Sequence, residues 1–193
     1  MIHRRDALAA ALAATLGWNL GAQAQSPAAS APSAPAAPAE VTAELSGARL
    51  QGQGRLRFLG LRVYDARLWI AAASAATADW AAVPLALELL YARSLEGIKI
   101  AERSLAEMQR QGEIEAAKAA RWLGAMKQVF PDVQPGDRIT GLHLPGVGAR
   151  FFVNGQLKGD VRDAEFARLF FGIWLSSRTS EPALRDALLG KAP

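Results

Sequence analysis

The sequence predicts an α+β domain, with its strands grouped apart from its helices. Three observations carry this. Strand-like segments fill residues 41–91, two helical periodicities follow back to back between residues 94 and 130, and strands resume at 138 before two closing helical segments. A doubly wound fold would alternate the two kinds instead.

Ahead of the domain, Arg4 and Arg5 precede a run of small apolar residues from Ala7 to Gly17, and Ala22-Gln23-Ala24 follows. A basic start, a short apolar stretch and a small-x-small site read as a secretory signal peptide over residues 1–24. The run is too short to span a bilayer, which takes roughly twenty residues. The arginine pair also allows a twin-arginine reading, which Asp6 and the missing aromatic oppose. The expected location is therefore the periplasm, with cleavage near Ala24. Residues 25–40 hold four prolines and no large apolar side chain, the composition of an extended linker. The remaining residues, 41–193, have the size of one domain.

Taken in order, Val41 to Leu50 reads as a first strand with a turn at Ser46-Gly47. Gly54 to Ile70 alternates as β structure around Gly60. Reversal at Leu59-Gly60 would set Arg55 opposite Tyr64, Leu56 opposite Val63, Arg57 opposite Arg62 and Phe58 opposite Leu61. Leu56, Phe58, Leu61 and Val63 would then share one face, with Arg55, Arg57, Arg62 and Tyr64 on the other. Leu59 is a poor residue for positive φ and Arg57 opposite Arg62 is repulsive, both of which count against a tight turn; a looser one with Gly60 in the left-handed region would relieve the first. Val83 to Tyr91 is a further apolar strand.

Ser94 opens a helical pattern in which Ile98, Ala101, Leu105 and Met108 recur on one face, and Gly112 ends it. The next helix starts near Ile114, stacks Trp122, Met126 and Phe130, and stops at Pro131. Pro135-Gly136-Asp137 is a turn before a strand from Arg138 to Leu144. Arg150–Val153 and Gln156–Val161 form a hairpin about Asn154-Gly155, a pair suited to a type I′ turn. Asp163 caps a helix whose apolar face is Phe166, Leu169, Phe170 and Ile173. Pro182 opens a last helix with Leu184, Leu188 and Leu189, closed by Gly190.

Composition excludes several chemistries. The chain has 22 Lys and Arg against 18 Asp and Glu, with both signs dispersed, so no nucleic-acid stripe is present. There is no cysteine, and removal of residues 1–24 would leave His143 as the one histidine. Zinc sites and Ser-His or Cys-His nucleophiles therefore lack their parts, and no metal or cofactor is expected. His143, between Leu142 and Leu144, reads as a structural or surface histidine. Trp69, Trp80, Trp122 and Trp174 could line a pocket, though core packing explains most tryptophans better, and Phe151 and Phe152 must face opposite ways, so at most one borders a cleft.

The segments GQGRLRFLGLRVYDARLWI, PLALELLYARSLEGIKIAERS, PGDRITGLHLPGVGARFFVNGQLKGDV and FARLFFGIWLSSRTS, in that order, resemble the bacterial chalcone isomerase-like family across roughly residues 42–190. The resemblance implies an open-faced β-sandwich, an antiparallel sheet with helices packed on one side and a cleft between. It implies either a ring-closing isomerase or a binder that holds a fatty-acid carboxylate with an arginine and a tyrosine. Arg55, after Gly52-x-Gly54, resembles the family's ligand arginine, with Arg57 as its rival, and Tyr64 stands at the matching tyrosine or threonine position. The isomerases' helix tyrosine and asparagine would fall in Leu95–Ser104, which has neither; Arg103 stands near the asparagine's place. The expectation is a non-catalytic binder of a fatty acid or similar amphipathic carboxylate through Arg55 or Arg57 and Tyr64. An isomerase acting on an enone and an accessory domain that meets a protein partner or membrane stand as the alternatives.

Overall fold

The computed structural model describes residues 35–74 and 79–191. The expected signal peptide and the first part of the expected linker lie outside the described residues. Six strands form one antiparallel meander in sequence order: β1 (Arg49–Phe58), β2 (Leu61–Ile70), β3 (Leu85–Tyr91), β4 (Arg138–Leu144), β5 (Gly148–Val153) and β6 (Gln156–Val161). Helices α2 (Gly97–Gln109), α3 (Ala116–Val129), α4 (Ala164–Leu175) and α5 (Pro182–Leu188) belong to the layer on one face. This is the open-faced sheet-and-helix arrangement that the sequence pattern and the resemblance imply.

The first element corrects the expectation for residues 41–50. Ala39–Glu44 is a helix, α1, and strand structure begins only at Arg49. Its Val41 and Leu45 pack on Trp69, Ala86, Leu142 and Phe152, which form a second apolar cluster on the far face of the sheet. Glu40, expected at the end of the linker, is 6% exposed. Its carboxylate accepts from Arg138 Nε at 3.1 Å and Thr140 Oγ1 at 2.9 Å. A short amphipathic piece next to a Pro/Ala linker carries too few turns to show helical periodicity, so only the waiting apolar patch makes it a helix.

Alternation in β3, β4 and β5 builds the two faces. Leu85, Leu87, Leu89, Ile139 and Phe151 enter the main core, whereas Ala86, Leu142 and Phe152 face α1. Phe151 and Phe152 thus diverge as the strand period requires. The outer face also carries cross-strand ion pairs, including Arg67 with Glu88 and Arg150 with Asp160. Trp69 donates to Glu88 at 2.9 Å, which satisfies a carboxylate only 3% exposed.

Helix ends follow their caps. Asp163 accepts from the amides of Glu165 and Phe166 at the start of α4, and Glu115 accepts from Ala117 ahead of α3. Helix α2 starts at Gly97, not Ser94, because Leu95 forms a β-bridge with Val133.

Both tight hairpins use a two-residue turn with positive φ at each position. Asn154 and Gly155 have φ of 50° and 82°, and Leu59 and Gly60 have 49° and 79°. The tight turn forms in spite of Leu59, with Gly60 in the left-handed region. Asn tolerates this region and Leu does not, so Leu59→Asn should stabilise the domain by about 1 kcal/mol and raise Tm by ~2–4 °C. Thermal unfolding of the two proteins side by side checks this, and an unchanged or lower Tm would mean the turn is unstrained.

Candidate functional site

A register shift in the first hairpin builds the site. Pairing starts as the sequence suggests, with Phe58 opposite Leu61 and Arg57 opposite Arg62. It then skips Val63, so that Leu56 pairs with Tyr64 and Arg55 with Asp65. The expected facing of Arg55 and Tyr64 is therefore corrected. One unmatched residue sends each side chain beyond it to the opposite face. Tyr64 joins Leu56 on the helix side, and Arg55 stays on the outside.

Arg55 there donates from Nε to Asp65 at 2.7 Å, and Arg62 also bonds that carboxylate. Burial by itself would raise the Asp65 pKa; the two guanidinium bonds outweigh it and hold the carboxyl below its ordinary value. The Gly52-x-Gly54 pair ahead of Arg55 has a packing role. A Cβ on Gly52 would lie 2.2 Å from the Ala187 carbonyl oxygen, and one on Gly54 would lie 2.5 Å from Leu184 Cδ1. These glycines let α5 seat directly on β1.

Between sheet and helices lies a cavity of about 380 Å³. That falls in the usual range of small-molecule sites, about 300–1,000 Å³. Its apolar wall comes from Leu56 and Val63 of the hairpin, Leu89 and Ile139 of the sheet, and Leu95, Ile100, Phe130, Phe170 and Ile173 from the helical layer. Phe170 stacks on Phe166 with centroids 5.5 Å apart and meets Trp174 edge-on at 5.5 Å, so consecutive turns of α4 form an aromatic floor.

Tyr64 and Tyr91 are the phenols of the cavity, edge to face with centroids 5.8 Å apart. Trp174 donates its indole N–H to the Tyr64 oxygen at 2.9 Å. That bond uses a lone pair and leaves the Tyr64 proton free to be donated. Burial pushes the Tyr64 pKa well above its ordinary value, against a smaller lowering by the Trp174 bond, and burial likewise raises Tyr91. Both stay protonated at neutral pH.

Charged groups also contribute to the lining. Arg57, Arg93, Lys99 and Arg103 belong to it together with Glu107 and Glu181. Arg103 pairs with Glu107 at 2.6 Å, and Lys99 with Glu102 at 3.0 Å. Arg57 donates to the Gly60 carbonyl at 3.2 Å, and among the described residues neither Arg57 nor Arg93 reaches a carboxylate. Of the three candidates drawn from the sequence, Tyr64 and Arg57 thus line the cavity, and Arg55 does not. Trp174 belongs to the core, as the sequence suggests, and lines the cavity as well, whereas Arg93 is not among the sequence candidates. The i, i+4, i+8 spacing of Phe166, Phe170 and Trp174 was the available signal for the former; nothing in the sequence singles out the latter.

The model of the chalcone isomerase-like family matches residues 34–190. The chain belongs to that family. An uncharacterized protein of Haemophilus influenzae is 32% identical over 108 residues, which cover 56% of this chain and 52% of that protein. The match thus spans about half the length of this relative. Among solved structures, a fatty-acid binding protein of Arabidopsis thaliana superposes with a TM-score of 0.58 at 14% identity, over 75% of this chain and 87% of that one. At that identity the likeness establishes a common fold.

His143 lies on the helix-facing side of β4, 2% exposed, and not in the cavity wall. Its Nδ1 is 3.2 Å from the Val83 carbonyl, and Phe171 meets its ring edge-on. Burial lowers its pKa below the ordinary 6.5, with a smaller opposing effect of the Val83 bond. The unfolded chain therefore takes up a proton that the folded one refuses. This contribution to stability is complete above pH 6.5 and declines as pH falls below it. Urea unfolding between pH 7.5 and 5 should show that decline, and His143→Gln should flatten it; an equal slope in the variant would remove His143 as its cause.

Proposed function

We propose that this member of the chalcone isomerase-like family binds a fatty acid or similar amphipathic carboxylate without transforming it. The observation that carries the reading is the pairing, in the wall of one apolar cavity, of Tyr64, whose oxygen accepts from Trp174 and leaves its proton to be donated, with Arg57, which has no carboxylate partner among the described residues. A phenol and a guanidinium together suit a carboxylate, since both donate and the guanidinium adds charge. The tail would lie along Leu89, Phe130, Ile139 and Phe170. The shared fold with a protein described as fatty-acid binding supports this choice of ligand. Support for binding without catalysis comes from Leu95–Ser104. The only hydroxyl there, on Ser104, donates to the Ile100 carbonyl at 2.8 Å, and Arg103 is engaged by Glu107.

Calorimetric titration with hexadecanoic acid and its methyl ester, below micellar concentrations, tests the head-group contact. The acid should bind more tightly than the ester. Arg57→Ala should weaken acid binding about tenfold, as expected for a lost charged hydrogen bond, and Tyr64→Phe should cost about 0.5–1.5 kcal/mol. Arg55→Ala should bind as the wild type does, because Arg55 lies on the opposite face. Equal affinity for acid and ester, or unchanged binding by Arg57→Ala, would refute the clamp.

We also propose export to the periplasm, on the basic and apolar pattern of residues 1–24. N-terminal sequencing of protein from the native host should find a start near Gln25. An intact Met1 on a cytoplasmic pool would end that reading.

A further inference from the structure

The tip of the β1–β2 hairpin carries two costs that nothing among the described residues offsets. Leu59 occupies a left-handed conformation, φ 49°, that leucine disfavours, and its side chain is 85% exposed. Phe58 and Leu61 beside it are 63% and 58% exposed. Half of the exposed large apolar residues among those described thus fall within four consecutive positions. The β5–β6 hairpin is an internal control. It makes the same turn with Asn154 at the strained position, so the backbone does not require leucine there.

Four cations stand beside the tip, two of them in ion pairs, Arg62 with Asp65 and Lys99 with Glu102. Arg57 and Arg62 flank it in sequence. Arg93 and Lys99 line the same cavity as Phe58, and Arg57 and Arg93 have no carboxylate partner among the described residues. Three apolar side chains on a two-residue turn are far below the roughly 800 Å² that each partner of a stable protein interface buries. An apolar tip with a collar of cations is instead the pattern of interfacial insertion. The side chains enter the acyl boundary while the cations remain among anionic head groups.

We propose that the Phe58-Leu59-Gly60-Leu61 tip docks the domain on an anionic lipid bilayer, with Arg57 and Arg93 toward the head groups. Phe58 belongs to both the tip and the cavity wall, so docking holds the cavity against the membrane. An amphipathic ligand can then pass between bilayer and cavity without crossing open water. The docking itself does not depend on the fatty-acid reading and is tested without any fatty acid.

The experiment is co-sedimentation of the full-length protein with vesicles of phosphatidylcholine alone or mixed with phosphatidylglycerol, at low and high salt. Wild type should sediment with the mixed vesicles, less so in high salt. Leu59→Asn, which suits the turn better, should stay folded and lose about tenfold in apparent partitioning, the scale of one withdrawn apolar side chain. Any sedimentation through the apolar run at residues 7–17 is common to both proteins and cancels. Equal sedimentation of wild type and Leu59→Asn, or no preference for phosphatidylglycerol, would overturn the proposal. So would self-association in analytical ultracentrifugation that Leu59→Asn abolishes while vesicles bind neither protein, which would assign the tip to a second copy of the chain.

Discussion

The register of the β1–β2 hairpin governs what the cavity can offer a ligand, because one unmatched residue separates two regularly paired halves. On the turn side of Val63, Arg57 faces Arg62; beyond it, Leu56 faces Tyr64 and Arg55 faces Asp65. Side chains in a strand alternate with a period of two, so skipping one residue exchanges the faces for the rest of the strand. The skip places a phenol in an apolar cavity and consigns a guanidinium to the outer surface. It also leaves both Val63 and Tyr64 on the cavity wall, which strict alternation would forbid. The like-charged Arg57 and Arg62 are eased apart electrostatically, as Arg62 turns to Asp65 and Arg57 to the Gly60 carbonyl.

The remainder of the helical layer holds this arrangement in place. Helix α5 closes onto β1 at Gly52 and Gly54, where any side chain would strike Ala187 or Leu184. Helix α4 presents Phe166, Phe170 and Trp174 along one face, and Trp174 reaches across to the Tyr64 oxygen. That single hydrogen bond joins the floor of the cavity to its polar end. It also orients the phenol, since an oxygen already accepting from the indole directs its own proton elsewhere. On the opposite face, α1 covers Trp69, Leu142 and Phe152, and the buried Glu40 is satisfied by Arg138 and Thr140. The sheet is therefore mainly apolar against the helical layer and carries both a smaller apolar cluster and ion pairs on the other side.

Much of the architecture was legible in the residues themselves. The strand patterns at Val83–Tyr91 and Arg138–Leu144, the Asn154-Gly155 turn, the Asp163 cap and the two central helices all follow from local periods and capping chemistry, and all appear in the structure. The segment around α1 was not legible. Its helical form depends on an apolar patch assembled from β2, β3, β4 and β5, four strands distant in sequence. The N-terminal boundary of α2 moved for a similar reason, because Leu95 found a β-partner in Val133.

At the site, the sequence by itself determined the parts: an arginine-rich hairpin with Tyr64 at its shoulder, an aromatic helix face, no thiol, and a single histidine within the domain. It also determined the turn at Leu59-Gly60 and hence the pairing nearest to it. Tertiary structure alone decided which arginine meets the cavity. A bulge has no signature in the alternation of one strand, since it is a mismatch between two strands. Its position is settled by the best simultaneous packing of Leu56, Tyr64 and Trp174 beneath the helices and of Arg55, Arg62 and Asp65 outside them. Arg93 joins the cavity lining only because β3 and β2 lie side by side, and proximity of that kind is created by the fold and not written in the spacing of residues.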